Sequence, residues 1–222
     1  GTQYSRYSYV GINPQKILTH INGQTTITVN GKLTYLDTPF LDLLRETQSQ
    51  YSMVKLPGIP SFSGGLVGYL GYETIAWVED IPTHDDSVLG IPDSVFMLFE
   101  DIIAFAHLKG SALVISNVNV DPNEELKKQF DLAHARVDLI GEKLHSDVDY
   151  QAPIQVTQSK VSSNFDQDAF EFAVLKAKKH IKDGDIFQVV LSQRFERKTS
   201  VKPVTLYRAL RSINPSPYMF HL

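Results

Sequence analysis

The stretch ILTHINGQTTITVNGKLTYL, from Ile17 to Leu36, restricts the fold more than any other part of the chain. Apolar and polar residues alternate with the period of two of a half-buried strand, and Asn22-Gly23 and Asn30-Gly31 interrupt the alternation. Asn-Gly is the pair that best accepts positive φ at both central positions of a type I′ turn, so the segment is predicted as an antiparallel meander. RYSYVGI before it, and VFMLFEDIIAFAH and ALVISNVNV after it, read as further strands, the last two joined by a Lys-Gly turn. A sheet with one apolar face needs a covering layer, and the chain offers helices to supply it.

Asp37-Thr38-Pro39 provides a cap and a first-turn proline for a helix bearing Phe40, Leu43 and Leu44. Asp121-Pro122-Asn123-Glu124 is read as a capping box that opens a long helix. Along that helix Leu126, Phe130, Ala133, Val137, Ile140 and Leu144 form one apolar stripe. The polar stretch from His145 to Asn164 loses the period and is read as a domain boundary, giving a first domain over 1–150 and a second from 165 to 222. In the second, Phe170, Val174, Ala177 and Ile181 share a helix face, Lys176, Lys178, Lys179 and Lys182 favour its C-terminal end, and Gly184 suits a left-handed cap. DIFQVVLSQRF is then predicted as a strand buried on both faces, and a short helix with Leu206, Leu210 and Ile213 leads to NPSPYMFHL. The fold class is α+β, with antiparallel sheet and helices.

Charge and composition exclude several functions. A net charge of -4 is not the basic footprint of a nucleic-acid binder. No apolar run is long enough for a membrane span and no signal-peptide pattern opens the chain, so a soluble, cytoplasmic protein is expected. Zero cysteines remove disulfides, thiolate zinc sites and cysteine nucleophiles together. His84-Asp85-Asp86 lacks the ordered spacing of a metal loop and reads as a solvated charge run. The chain begins Gly-Thr and stops inside an apolar run, so a fragment of a longer protein is expected.

FSGGLVGYLGYE, from Phe62 to Glu73, invites comparison with a phosphate loop. Its glycines, at 64, 65, 68 and 71, miss the one-three-six spacing of the dinucleotide fingerprint, and no Gly-Lys-Ser/Thr follows. The block is read as close backbone packing, with tyrosines filling the space that the glycines leave.

RYSYVG, FSGGLVGYLGYE, LGIPDSVFMLFEDIIAF, GDIFQVVLSQRF and NPSPYMF occur in an order that closely resembles the anthranilate synthase component I family, chorismate-using enzymes of tryptophan biosynthesis. The resemblance covers nearly the whole chain. It implies an antiparallel N-terminal domain with helices, a structural role for the glycine block, and the first elements of the α+β chorismate-binding domain from about Asp168. It also implies a magnesium ion whose glutamate ligands lie downstream of this sequence. Two departures stand out: the Leu-Glu-Ser segment that precedes RYSYVG in the family is absent, and Phe-Ala-His at Ala106 replaces the usual Phe-Asp-His.

The same resemblance assigns candidate site residues. In isochorismate and salicylate synthases a lysine acting as general base stands where this chain has Gln188. A glutamine amide has no useful proton affinity near neutral pH, whereas ammonia is already nucleophilic, so Gln188 fits amination of chorismate. Taken alone, Gln188 reads equally as a buried polar residue bonded to backbone. Asn214, Pro217, Tyr218 and Met219 match the lining of an allosteric tryptophan pocket between the two domains. Pro215 and Pro217 stiffen that backbone, though a proline turn entering a core strand has the same signature. Arg6 would offer a charge-assisted donor to the effector carboxylate from the first domain, or is a solvated strand-edge residue.

The resemblance therefore implies an enzyme converting chorismate and ammonia to anthranilate and pyruvate. A glutamine amidotransferase partner would supply the ammonia, and tryptophan would inhibit. The fragment alone is expected to be inactive. Aminodeoxychorismate synthase component I, or a non-catalytic tryptophan-binding regulatory fragment, is the alternative.

Overall fold

The computed structural model describes residues 6–83, 89–147 and 159–222. His84, Asp85 and Asp86 lie outside the described residues. The fold is α+β, and the chain divides into two compact units, Gly1–Val148 with Leu222, and Asp149–His221.

In the first unit the meander forms as β2 (Lys16–Ile21), β3 (Gln24–Val29) and β4 (Lys32–Leu36). Both turns are type I′, with φ of 50° and 74° at Asn22 and Gly23, and 51° and 75° at Asn30 and Gly31. The run VFMLFEDIIAFAH is interrupted at Glu100 and supplies two strands, β6 (Ser94–Phe99) and β7 (Asp101–Ala106). These belong to different sheets. With β5 (Gly65–Leu70), the meander and β6 form a five-stranded antiparallel sheet in the order β4-β3-β2-β6-β5. With β1 (Tyr7–Ile12) and β8 (Ser111–Ser116), β7 forms a three-stranded antiparallel sheet in the order β1-β7-β8. The sequence does not mark the crossing, because β7 is covered on both faces and so carries no alternation.

Leu18 is fully buried between the five-stranded sheet and α1 (Phe40–Ser49), against Phe40 and Leu43, with Ile27, Leu36, Leu66, Phe96 and Trp77 around it. Burying one such side chain stabilises the fold by roughly 1.5–3 kcal/mol. The predicted Asp37-Thr38 cap does not form. Pro39 is itself the cap residue, and its carbonyl accepts from the Asp42 and Leu43 amides at 3.0 Å each. On the sheet's other face the ring of Phe99 lies against Gly11 of the three-stranded sheet, where a Cβ would come within 2.7 Å of it.

The glycine block forms β5, an edge strand. A Cβ at Gly68 would stand 1.9 Å from the Val95 carbonyl and 2.7 Å from the Phe96 ring. Close packing is therefore the reason for this glycine, but the filling ring is Phe96, not a tyrosine. Tyr69 instead donates its hydroxyl to the Pro92 carbonyl at 2.7 Å, and Tyr72 is exposed.

The second long helix, α2 (Leu126–His145), packs on the three-stranded sheet. It starts later than the capping box predicts. Asp121 closes a local turn by accepting from the Asn123 amide at 2.8 Å, and Gln129 holds the Asp121 amide and carbonyl at 2.9 Å each. The predicted stripe is covered only in part: Ala133 and Ile140 are buried, whereas Leu126 and Phe130 are about two-thirds exposed. A helix of this length runs about 30 Å, while six-residue strands span about 20 Å, so its ends overhang the sheet.

In the second unit α3 (Gln167–Asp183) is capped by Asp166, whose carboxylate accepts from the Ala169 amide at 2.7 Å. Gly184, at φ 85°, ends it with the paired Gly184 to Ile181 and Asp185 to His180 bonds of a Schellman motif. The last helix, α4 (Pro203–Ile213), opens on its proline as a first-turn residue. β9 (Ser162–Ser163) and β10 (Phe195–Glu196) form a two-residue ladder. The strand predicted over DIFQVVLSQRF is absent but for its last residue, Phe195, in β10, and Phe187 and Val190 are exposed. A strand exists only through a neighbour that pairs its backbone, and no described residue pairs with 186–191.

Candidate functional site

The predicted effector residues fall in both units. Arg6 precedes β1 in the first; its carbonyl accepts from the His107 amide at 3.0 Å, and its guanidinium carbon lies 5.5 Å from the Tyr7 ring centre. Asn214, Pro217, Tyr218 and Met219 follow α4 in the second. Asn214 is the C-cap of α4, its amide donating to the Leu210 carbonyl at 2.9 Å. Pro217 and Tyr218 make a turn, and Tyr218 has φ of 61°, the left-handed region that a bulky L-residue rarely adopts. The Met219 carbonyl is held by the Tyr207 hydroxyl at 3.3 Å, and the Tyr207 and His221 rings stand 5.8 Å apart. This segment is thus shaped by its prolines and by contacts from α4, with the Tyr218 ring exposed. Gln188 lies in the extended segment after α3 and is exposed, not buried.

A polar cluster that the sequence reading missed lies inside the first unit. Asp101, on β7, is almost fully buried and accepts from the Ser116 hydroxyl at 2.6 Å and from Arg136 Nε at 3.2 Å. Arg136 donates again to Ser116 Oγ at 3.0 Å and to the Asn117 carbonyl at 2.9 Å. The Asn117 side-chain amide continues the chain of bonds to the carbonyls of Ser63 and Glu100, at 2.7 and 3.0 Å. A buried carboxylate is tolerated when it is paired and its lone pairs are filled, as here. Beside it, burial pushes the Glu100 carboxyl up, an effect that Arg136 opposes. The signal was present in the sequence: a charge in the apolar run of β7, and an arginine between Ala133 and Ile140 on the buried face of α2.

Asp101 and Arg136 of the cluster line a cleft of about 130 Å³ between α2 and the sheet, together with Ile12, Ile103, Ile140, Lys143 and Leu144. Elsewhere in the unit His20 is held by Thr25 Oγ1 at 3.0 Å and meets the Trp77 and Phe40 rings edge-on at 4.8 and 5.9 Å. Burial pushes its pKa down, with Asp93 acting in the opposite sense. Among the described residues no helix is long and apolar enough to cross a membrane.

Comparison with known proteins gives these features a context. The chain is 34% identical to anthranilate synthase component 1 of Acetivibrio thermocellus, over all of this chain and 46% of that protein. It is also 34% identical to anthranilate synthase component 1 of Saccharomyces cerevisiae, over 99% of this chain and 42% of that one. A crystal structure of anthranilate synthase component I from Streptococcus pneumoniae TIGR4 superposes with a TM-score of 0.79 at 27% identity, covering 99% of this chain and 48% of that chain. The chain thus spans about half the length of the curated relatives it matches. Residues 1–222 match the chorismate binding enzyme family without interruption, and the chain belongs to that family.

Proposed function

We propose that these residues are part of the component I chain of an anthranilate synthase. The observation that carries this reading is the likeness, over 99% or more of the chain and at 32–35% identity, to proteins of that name from bacteria, yeasts and a plant. The reaction is attack of ammonia on C2 of chorismate with loss of the C4 hydroxyl as water, then elimination of pyruvate to leave anthranilate. A glutamine amidotransferase subunit supplies the ammonia. The first unit is the regulatory and structural domain, and residues 165–222 begin the chorismate-binding domain. Gln188 supports amination over hydration, because its amide cannot deprotonate water.

Magnesium assists this chemistry. Among the described residues no group of three or more His, Asp and Glu side chains could hold a metal ion. Tryptophan inhibits by binding at Asn214, Pro217, Tyr218 and Met219 of the second unit. The positive φ of Tyr218, directly after the stiff Pro215-Ser216-Pro217 segment, supports a ligand role, since backbone outliers persist where a site uses them. Inhibition then requires that tryptophan bind one conformation of the enzyme better than another.

The test is product analysis of the protein encoded by the complete reading frame, given chorismate, magnesium and ammonium, with and without tryptophan. Anthranilate that disappears on adding tryptophan supports both the reaction and the effector segment. Aminodeoxychorismate insensitive to tryptophan moves the protein to the folate branch, and isochorismate would sink the role given to Gln188. The 222-residue chain alone is expected to form no anthranilate.

A further inference from the structure

We infer that the cleft between α2 and the three-stranded sheet is a binding site for a small molecule with one apolar ring and one carboxylate. Arg136, Ile140, Lys143 and Leu144 lie at i, i+4, i+7 and i+8 along α2, so one face of the helix presents apolar side chains and two cations to the same space. Ile12 and Ile103 close the opposite wall. The volume, about 130 Å³, is close to the roughly 150 Å³ apolar cavity that accepts a benzene ring in another protein. It is too small for a drug-sized or nucleotide ligand, which takes roughly 300 Å³ or more.

The charges differ in availability. Arg136 is committed to Asp101, Ser116 and Asn117, and the Asp101 charge is balanced by it. Lys143 Nζ makes no hydrogen bond or ion pair with any described residue, so this lining residue brings an unpaired positive charge to the cleft. A ring seated on Ile103, Ile140 and Leu144 would direct a carboxylate outward to that ammonium group. Lys143 also stands in the last turn of α2, where the helix dipole disfavours an anion, so affinity is expected to be weak, on the order of millimolar. This inference does not depend on the proposed reaction, although anthranilate belongs to the ligand class.

Benzoate and its neutral counterpart benzyl alcohol, titrated at constant ionic strength into the ¹⁵N-labelled 222-residue chain, test the site. Saturable amide shifts confined to Ile12, Asn13, Ile103 and the last two turns of α2 are expected, with benzoate binding about threefold more tightly than benzyl alcohol. Lys143→Met, an exposed position whose change leaves the fold intact, is expected to remove that preference while leaving benzyl alcohol binding unaltered. Non-saturating shifts, shifts centred elsewhere, equal affinity for the two probes, or a preference that survives Lys143→Met would each overturn the inference.

Discussion

The two units use the same parts, amphipathic helices and short antiparallel strands, and differ in what those parts cover. In the first, Leu18, Ile102 and Ala104 are at most 1% exposed. In the second no described residue is buried, although α3 and α4 both carry apolar faces. The local signals of α3 are satisfied: an aspartate cap, a glycine stop and two side-chain pairs one turn apart, Gln167–Glu171 and Lys179–Asp183. Caps and periodicity specify a helix, whereas a core needs a second layer, and residues 159–222 contain none that closes over these faces.

Hydrogen exchange on the 222-residue chain is the strongest test of this contrast. Core amides exchange only through unfolding, so β2, β6 and β7 are expected to exchange at least about a thousandfold more slowly than α3 and α4. Protection of α3 equal to that of β7 would break the comparison, because it would mean that the second unit is as tightly closed as the first.

Matched truncations sharpen it by residue. Leu18→Ala removes a fully buried side chain from between α1 and the sheet and is expected to lower stability by about 3 kcal/mol. Phe187→Ala removes a larger side chain that is 93% exposed and should stay within about 0.5 kcal/mol. Denaturant midpoints at unchanged slope would measure both, and a large loss at Phe187 would reveal packing that the exposed ring does not suggest.

The same division explains what was legible in the sequence. The two Asn-Gly turns and the Gly184 stop were readable because each is decided within a few residues by φ preference. The strand over DIFQVVLSQRF was misread because its apolar run states a preference that only a pairing neighbour can satisfy. The division of VFMLFEDIIAFAH between two sheets escaped for a related reason, since Glu100 is no stronger a breaker than its neighbours. The Asn214 to Met219 segment was recognisable only through the family, because two prolines and an aromatic describe a stiff turn without naming a ligand. Asp101 and Arg136 each stood out in an apolar stretch, but that they pair, 35 residues apart, required tertiary structure.

Two glycines extend the contrast inside the first unit. Gly68→Ala would drive a Cβ into the Val95 carbonyl and the Phe96 ring, forcing β5 away from β6 at a cost of about 1–3 kcal/mol. Gly141→Ala, in α2 with nothing within 4 Å of its added Cβ, is expected to gain up to about 1 kcal/mol by lowering the entropy of the unfolded chain. Thermal midpoints rising for both would show that β5 can shift without penalty.

The smallest effect concerns water at the edge of that core. His20 sits between Trp77 and Phe40 and is bonded to Thr25, and burial holds its pKa below the ordinary value of about 6.5. The folded state therefore prefers the neutral ring. Above pH 6.5 neither state binds the proton and the contribution to stability is complete. As pH falls below 6.5 the unfolded chain takes up a proton that the folded chain resists, and stability is lost until the folded pKa is passed. His20→Gln removes this one titration. The thermal midpoint of the unsubstituted chain is accordingly expected to fall relative to the variant between pH 7.5 and pH 5.5, whatever the offset between them at pH 7.5. A constant offset across that range would mean that water reaches the imidazole, and that the first unit is closed over Leu18 but open one residue pair away along the same strand.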